Sequence, residues 1–153
     1  MTGRIRPAVP EDIAAVEATV RSAYAPYVLL IGREPGPMLD DYAALIEQGH
    51  VYVLRDERGI SAILVLIPEE RALLLDNVAV RPDAQGRGHG RTLIGFAERM
   101  ARERGLGAIR LYTNEAMTEN VALYGRLGFV ETHRAEEHGF RRVYMTKRLD
   151  APS

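Results

Sequence analysis

The sequence predicts an α/β domain built on a mixed β-sheet, and three observations lead to this fold class. Apolar segments of strand length alternate along the chain with amphipathic segments of helix length. Two strand-like segments, 50–56 and 60–67, are joined by a short turn with glycine and predict a hairpin. A third strand-like segment, 72–80, leads through a glycine-rich turn into a long amphipathic helix at 88–104.

The N-terminal part predicts a short strand followed by a helix. Residues 5–9 have strand character, and the acidic residues after Pro10 suit the positive end of a helix dipole. Apolar residues at helical spacing continue this helix toward Tyr24. We expect Pro26 to end the helix, because proline has no N–H to donate to the preceding turn. The other predicted elements are irregular structure at 27–37, helices at 38–48 and 119–127, and strands at 108–113, 129–132 and 141–149.

The composition limits the classes of protein that fit. A length of 153 residues suggests a single domain, 1–153, with room for a hydrophobic core. The net charge of −1 gives no indication of a nucleic-acid or anionic-membrane partner. The absence of cysteine excludes disulfides, thiolate metal sites and a cysteine-bound acyl intermediate. No apolar run indicates a signal peptide or a membrane helix, so a cytoplasmic location is expected.

The turn that joins the 72–80 strand to the 88–104 helix predicts an anion-binding site. Free backbone N–H groups at a helix N-terminus bind phosphates, and glycine lets a ligand approach the backbone closely. Two other phosphate motifs fit poorly, because the P-loop lysine is missing and Arg91 stands where a dinucleotide fingerprint has its third glycine. A connecting turn before an ordinary helix is the simpler alternative. The turn reads Gln85-Gly86-Arg87-Gly88-His89-Gly90.

Two motifs in this order resemble those of the GNAT acetyltransferases. The turn from Gln85 to Gly90 is similar to their acetyl-CoA loop, Gln/Arg-x-x-Gly-x-Gly/Ala, and segment 120–129 is similar to their signature A-x-x-L-Y-x-x-x-G-F. The predicted order β-α-α-β-β-β-α-β-α-β-β is also that of this family, so the resemblance covers nearly the whole chain. It implies the GNAT fold: a mixed, mostly antiparallel sheet of about six or seven strands with about four helices. This sheet is splayed between its fourth and fifth strands.

The resemblance implies that acetyl-CoA is the acyl donor and that the reaction is N-acetyl transfer. The pantetheine arm then lies along the end of the fourth strand, where the Val78 N–H faces the thioester carbonyl as an oxyanion donor. The pyrophosphate lies on the N–H groups of residues 86–91, and two arginine side chains add contacts there. For each arginine, a solvated position at the helix start is the alternative. The residues assigned to the cofactor in this way are Val78, Ala79, Val80, Gln85, Gly86, Arg87, Gly88, His89, Gly90 and Arg91.

The same resemblance implies that Tyr124 protonates the leaving thiolate and also contacts the cofactor. Positioning of the sulfur and packing on the helix are the alternatives for this residue. The position of the general base departs from the family pattern. Many relatives carry a glutamate where this chain has Tyr112. A neutral phenol is a poor base at neutral pH. Asp76, on the fourth strand two residues before Val78, is the first carboxylate candidate, although it also suits a loop or an ion pair. Glu115, Glu119 and a chain of waters are further candidates.

A second departure concerns an asparagine that relatives often carry where this chain has Met117. Asn114 and Asn120 lie close to that position and are expected to reach the pantetheine or phosphate, with a local turn or cap as the alternative. No metal site is predicted, because His133 and His138 have no third ligand with them.

The acceptor site is expected to come from the first two helices, their connection and the last hairpin. Aromatic and acidic residues suit an amine with an apolar body, whereas Arg33 and Arg141 suit a carboxylate. The acceptor, an amine of a small molecule or peptide, therefore stays undetermined. Its direct attack in a ternary complex would use proximity for much of the rate. The residues expected at this site are Tyr24, Tyr27, Ile31, Arg33, Met38, Asp41 and Tyr42, facing His133, His138 and Arg141.

Two rival functions stay open at this point. A non-catalytic acyl-CoA-binding sensor fits the missing glutamate, whereas the retained Tyr124 argues against it. A protein N-acyltransferase needs an open acceptor groove, which segment 27–37 could instead close. Members of the family often dimerise, so a homodimer is an expectation from the resemblance that no residue of the sequence indicates by itself.

Overall fold

A seven-stranded mixed sheet with the strand order β1-β2-β3-β4-β5-β7-β6 organises the protein, and a computed structural model describes residues 4–149. The strand pairs β1–β2, β2–β3, β5–β7 and β6–β7 are antiparallel, and β4–β5 is parallel. The strands are β1 (Arg4–Pro7), β2 (Val51–Asp56), β3 (Gly59–Pro68), β4 (Leu73–Val80), β5 (Ala108–Asn114), β6 (Val130–Glu137) and β7 (Phe140–Arg148). The helices are α1 (Ile13–Ile31), α2 (Tyr42–Glu47), α3 (His89–Glu103) and α4 (Thr118–Arg126).

The parallel pair β4–β5 is the feature that the predicted splay requires. Its pairs run from Leu73 with Ile109 to Leu75 with Leu111, and β4 itself continues beyond them to Val80. The predicted fold class, with its mostly antiparallel sheet and four helices, is confirmed. No helix within residues 4–149 is long and apolar enough to cross a lipid bilayer.

The described residues divide into two compact units. The first holds residues 4–66 and 77–94, and the second holds residues 67–76 and 95–149. The interpretation of 1–153 as a single domain stays a prediction.

In the first unit, helix α1 continues past the proline that was expected to end it. The helix runs to Ile31, and Gly32 ends it in the left-handed conformation with φ of +88°. The prediction for Pro26 was wrong because burial of one stripe of the helix, at Val16, Val20 and Tyr24, stabilises it across the proline. Pro26 itself is exposed, so its ring lies where no packing is disturbed.

Helix α2 is shorter than the predicted 38–48, and a local cap explains the difference. Asp41 adopts an extended conformation, and its carboxylate accepts a hydrogen bond from the Ala44 N–H at 3.1 Å. This N-cap starts the helix at Tyr42. The preceding residues Gly36–Leu39 form a separate 3₁₀ turn.

The second unit consists mainly of the β5–β7–β6 sheet, helix α4 and most of α3. Ile109 and Leu111 of β5 are fully buried together with Val143 of β7. Helix α4 begins at Thr118, and the N-cap position is the residue before it. That position belongs to Met117, which makes no side-chain capping hydrogen bond.

An ion pair in the first unit fixes the chain between β1 and α1. Arg6 donates to both carboxylate oxygens of Asp12, at 2.7 and 3.1 Å, and the Val9 N–H donates to the same carboxylate at 2.8 Å. These hydrogen bonds, from Arg6 above all, hold the pKa of Asp12 below its usual value.

We predict that Asp12→Asn lowers the free energy of unfolding by about 1–2 kcal/mol at neutral pH, since charge-assisted hydrogen bonds are lost. The folded-state pKa is lower than the unfolded one, so this stabilisation is present above about pH 4 and is lost as pH falls through the folded-state pKa. Urea unfolding of both proteins across this pH range measures the difference. Glu11→Gln, an exposed change in the same turn, is the control and should have little effect. A difference for Asp12→Asn that does not shrink in acid would contradict the assignment.

Candidate functional site

The loop between β4 and α3, in the first unit, has the backbone geometry of an anion-binding site. Gly86 and Gly88 both have φ of +82°, a conformation that side chains disfavour and glycine adopts readily. Helix α3 begins directly afterwards at His89, and its first-turn N–H groups lack helical acceptors, as at any helix N-terminus. A Cβ added at either glycine would meet no atom within 4 Å, so the space over the loop is open.

Side chains of the loop divide into two groups. Arg87 and Arg91 are exposed, which leaves both guanidinium groups accessible to a ligand. The Gln85 amide donates to the Val80 carbonyl at 3.1 Å, so it holds the loop to the strand end. The Nε2 atom of His89 is buried and has no hydrogen-bond partner among residues 4–149.

A group of charged residues at the start of this loop was not found by the sequence analysis. Arg81 lies 3.7 Å from the Asp56 carboxylate and 3.1 Å from that of Asp83, and Arg58 lies 3.2 Å from Asp83. The Arg81 N–H also donates to the Ser61 carbonyl at 2.9 Å. These contacts tie the loop start to β3 and to the end of β2. Their residues are scattered in sequence, so only the fold brings them together.

Two tyrosines predicted to contact an acceptor lie instead in the interior of the first unit. Tyr24 and Tyr42 are 7% and 2% exposed. The Tyr24 hydroxyl donates to the Asn77 side-chain oxygen at 2.5 Å, and the Asn77 amide donates to the Tyr42 hydroxyl at 2.9 Å. The Tyr42 hydroxyl donates in turn to the Pro37 carbonyl at 2.5 Å. Asn77 was not singled out from the sequence, although an amide that is buried on a strand needs hydrogen-bond partners.

The other residues expected at the acceptor site in the first unit lie nearer the surface. Tyr27 and Met38 are half-buried, and Arg33 and Asp41 are exposed. Asp41 uses one carboxylate oxygen as the cap of α2. On β4, Val78 and Val80 are half-buried and Ala79 is buried.

In the second unit, Tyr124 lies on α4 and is 7% exposed. Its ring packs edge-on against Phe129, with ring centroids 5.7 Å apart. Burial raises the pKa of Tyr124 to about 12, because the charged phenolate loses its solvation there. The hydroxyl is therefore protonated throughout the physiological range.

The second unit also brings together Asp76 and the tyrosine that replaces the family's glutamate. The Tyr112 hydroxyl lies 3.5 Å from an Asp76 carboxylate oxygen, a long hydrogen bond. The Arg142 guanidinium lies over the Tyr112 ring at 4.3 Å from its centroid, and the Tyr144 ring centroid is 5.5 Å away. His133 stacks on Tyr144 with centroids 4.3 Å apart. The rings of Tyr112, Tyr144 and His133 therefore form one group, and the Asp76 carboxylate lies beside the Tyr112 hydroxyl.

Other sequence-predicted residues of the second unit make local contacts. Glu115 lies 3.4 Å from Arg141 and 3.6 Å from Arg134, so the 74%-exposed Arg141 already has a carboxylate partner. The Asn114 side chain accepts from the Ala116 N–H at 2.9 Å in a tight turn. Asn120 approaches the Met117 sulfur at 4.0 Å. Within residues 4–149, no three potential ligand residues group into a metal site.

Comparison with known proteins decides the family. A family model described as an acetyltransferase (GNAT) domain matches residues 47–131, more than half of the chain. The chain belongs to the GNAT acetyltransferase family. The resemblance inferred from the loop and from segment 120–129 is thereby confirmed.

Individual relatives of this GNAT protein are more distant. The mycothiol acetyltransferase of Rhodococcus opacus is 46% identical over 56 residues, which are 37% of this chain and 18% of that relative. The matched segment thus spans less than a fifth of the relative's length. The ribosomal-protein-S18-alanine N-acetyltransferase of Escherichia coli has a TM-score of 0.79 at 20% identity, covering 100% of this chain and 97% of its own. The PaiA N-acetyltransferase of Thermoplasma acidophilum, solved with coenzyme A, has a TM-score of 0.81 at 16% identity, covering 97% and 100%. These structural likenesses support the fold alone.

The raised pKa of Tyr124 makes a direct spectroscopic prediction. Tyrosine ionisation is followed by ultraviolet absorbance in the wild type and in Tyr124→Phe, titrated up to about pH 11. Because the pKa of Tyr124 is about 12, both proteins should show the same number of ionising tyrosines over this range. One tyrosine fewer in the variant would show that the phenol is not held protonated by burial. Circular dichroism at each pH confirms that the proteins stay folded.

Proposed function

We propose that this GNAT acetyltransferase transfers an acetyl group from acetyl-CoA to a primary amine of a small molecule or peptide. The amine attacks the thioester directly in a ternary complex, without an acylated enzyme. The observation that carries the proposal is the loop in which Gly86 and Gly88 lead, with φ of +82° each, into the N-terminus of α3. The acetyltransferase (GNAT) family model and the mycothiol acetyltransferase that matches part of the chain support the same reaction class.

The donor's phosphates fit the chemistry of the loop. Backbone N–H groups from Gly86 to Arg91 bind the pyrophosphate, and the exposed guanidinium groups of Arg87 and Arg91 add charge-assisted hydrogen bonds. Val78 to Val80 offer strand backbone to the pantetheine arm. The Val78 N–H stabilises negative charge on the thioester oxygen. When bound, acetyl-CoA supplies the thioester carbon that the amine attacks.

Tyr124 assists departure of the thiolate by donating a hydrogen bond from its protonated hydroxyl. A coenzyme thiol has a pKa of about 8.5, so full proton transfer from a phenol with a pKa of about 12 is uphill by roughly 5 kcal/mol. Stabilisation of the sulfur by hydrogen bonding is therefore the larger part of its role. Of the roles that the sequence allowed for Tyr124, positioning of the sulfur is therefore favoured over proton donation.

The amine must lose a proton, and we assign the base to Asp76. A phenol at position 112 is a poor base by itself, but the Tyr112 hydroxyl lies 3.5 Å from the Asp76 carboxylate. A proton accepted through this hydroxyl, or through a water, passes to the Asp76 carboxylate. Tyr112, at the family's glutamate position, thus relays the proton, and Asp76 accepts it.

The acceptor contacts are assigned to the surface residues rather than to the buried tyrosines. Tyr27, Arg33 and Asp41 lie at or near the surface on α1 and in the segment that follows it. Arg141 is also exposed, but a carboxylate of the acceptor would have to displace Glu115 from it. Because Glu115 already pairs with Arg141, we favour an amine with an apolar body over an amino acid as the acceptor.

Thiol release from acetyl-CoA tests the proposed reaction, with polyamines, aminoglycosides, amino acids and short peptides as acceptors. The chain has no cysteine, so a thiol reagent meets no background from the protein. Lys147 is its one lysine, so self-acetylation is checked by mass spectrometry at few positions. Release above a blank without acceptor is the expected result. Bound acetyl-CoA without release for any acceptor would contradict acetyl transfer to such amines and favour the sensor.

A tyrosine variant separates catalysis from binding in the same assay. Tyr124→Phe should lower kcat by about 100-fold, while the coenzyme A affinity stays within about twofold. Tyr52→Phe, on β2 and outside the proposed site, is the control. Unchanged kcat in Tyr124→Phe would remove the tyrosine from the mechanism.

We predict that Gly88→Ala weakens coenzyme A binding by at least about tenfold, because alanine disfavours φ of +82° and the loop must change shape. Gly95→Ala is the matched control, since Gly95 lies inside α3 without a positive φ and a Cβ there meets nothing within 4 Å. This control should bind coenzyme A normally and be equally or more stable. Isothermal titration calorimetry measures both affinities. Equal binding by the two variants would show that the loop geometry does not hold the cofactor.

A further inference from the structure

We propose that Asn77 is a positioning residue for the acceptor, coupling β4 to the segment between α1 and α2. This segment, residues 32–41, is defined here as the acceptor segment. The inference rests on the proposed function, in which that segment contacts the amine. Asn77 itself is 3% exposed, so it acts through its hydrogen-bond partners Tyr24 and Tyr42 and not by direct contact with the acceptor.

A chain of hydrogen bonds runs from the strand to the acceptor segment. The Asn77 amide donates to the Tyr42 hydroxyl at 2.9 Å, and this hydroxyl donates to the Pro37 carbonyl at 2.5 Å. On the other side, the Tyr24 hydroxyl donates to the Asn77 oxygen at 2.5 Å. One amide on β4 therefore holds α1, α2 and the acceptor segment.

The orientation of this amide follows from the protons available. A tyrosine hydroxyl has a single proton, and that of Tyr42 is directed at the Pro37 carbonyl. Tyr42 can therefore only accept from Asn77, so the NH₂ end of the amide faces Tyr42. The oxygen end then faces Tyr24, which donates to it. Neither aspartate nor leucine can reproduce both contacts, so the pattern specifies asparagine.

The composition of the acceptor segment explains why a side-chain hydrogen bond is needed to hold it in place. It contains Pro35 and Pro37, which have no N–H to donate, and it includes Gly32 and Gly36. The chain of hydrogen bonds ends in this segment, where the Tyr42 hydroxyl donates to the Pro37 carbonyl. This hydrogen bond is partly buried, and because hydrogen bonds are stronger where the local dielectric constant is lower, it restricts the segment more than a fully exposed contact would.

The same network meets β4 next to the proposed oxyanion donor. Asn77 directly precedes Val78, and the Tyr24 hydroxyl lies 3.4 Å from the Val78 carbonyl. Alternation along a strand directs the Asn77 and Val78 side chains to opposite faces. The residue that holds the acceptor segment is thus adjacent to the one whose backbone is proposed to meet the thioester.

The test compares Asn77→Leu and Tyr42→Phe with the wild type. Hydrogen exchange of peptides covering residues 32–41 is measured together with the coenzyme A dissociation constant and the acceptor KM. We expect exchange in this segment to rise by about tenfold or more, because the buried partners lose their hydrogen bonds. The acceptor KM should rise by a similar factor, whereas coenzyme A affinity and exchange of the 82–91 loop should stay within about twofold.

Thr19→Val is the matched control. The Thr19 hydroxyl is buried in the same helix α1 and donates to the Ala15 carbonyl at 2.8 Å, so this variant also loses a buried hydrogen bond. It should lower stability without a selective effect on segment 32–41. In the double variant of Asn77→Leu with Tyr42→Phe, the effects on KM should be less than additive, since both changes break one chain of hydrogen bonds.

Several results would overturn the inference. Exchange in segment 32–41 that matches the control would show that Asn77 does not hold it, and Tyr42→Phe decides this if Asn77→Leu fails to fold. Faster exchange with an unchanged acceptor KM would show that the segment does not position the amine. A wild type that binds coenzyme A but transfers no acetyl group would contradict the proposed function instead, and with it the positioning role, while the exchange data would still report the tether.

Discussion

The requirement that buried polar groups be hydrogen-bonded determines much of the first unit. Asn77 is buried on β4, and its amide is stable there because Tyr24 donates to its oxygen and Tyr42 accepts from its NH₂ group. Both tyrosines must therefore be brought to β4, and α1 and α2 are placed accordingly. The Tyr42 hydroxyl extends the constraint to the Pro37 carbonyl. The position of one amide thus fixes elements that are far apart in the sequence.

A second constraint comes from the backbone rather than from side chains. The loop after β4 presents N–H groups because two glycines adopt a conformation that other residues resist, and because a helix must begin where the loop ends. The ion pairs of Arg81 with Asp56 and Asp83 fix the start of this loop. In the proposed function these N–H groups bind the pyrophosphate, and recognition through the backbone depends little on the neighbouring side chains.

The sequence was a good guide where local chemistry decides the structure and a poor one where distant residues decide it. Hydrophobic periodicity predicted the order of the elements and the mixed sheet, and the resemblance of the glycine turn and of segment 120–129 to GNAT motifs predicted the family. Pro26 was misinterpreted because burial of the α1 stripe outweighs the cost of a proline on an exposed side. Tyr24 and Tyr42 were expected at the acceptor site, whereas the structure buries both against Asn77, and no local pattern links these three residues. The contact of Tyr112 with Asp76 likewise depends on strand pairing.

The most direct test of this account is the affinity of the wild-type protein for coenzyme A compared with pantetheine, which lacks the pyrophosphate and the nucleotide. If the loop from Gly86 to Arg91 provides the main binding site, isothermal titration calorimetry should show coenzyme A binding at least about 100-fold more tightly, since several charge-assisted hydrogen bonds depend on the phosphates. The difference should shrink as salt is added, because the exposed arginines are screened. Equal affinities for the two ligands would contradict the assignment of the loop.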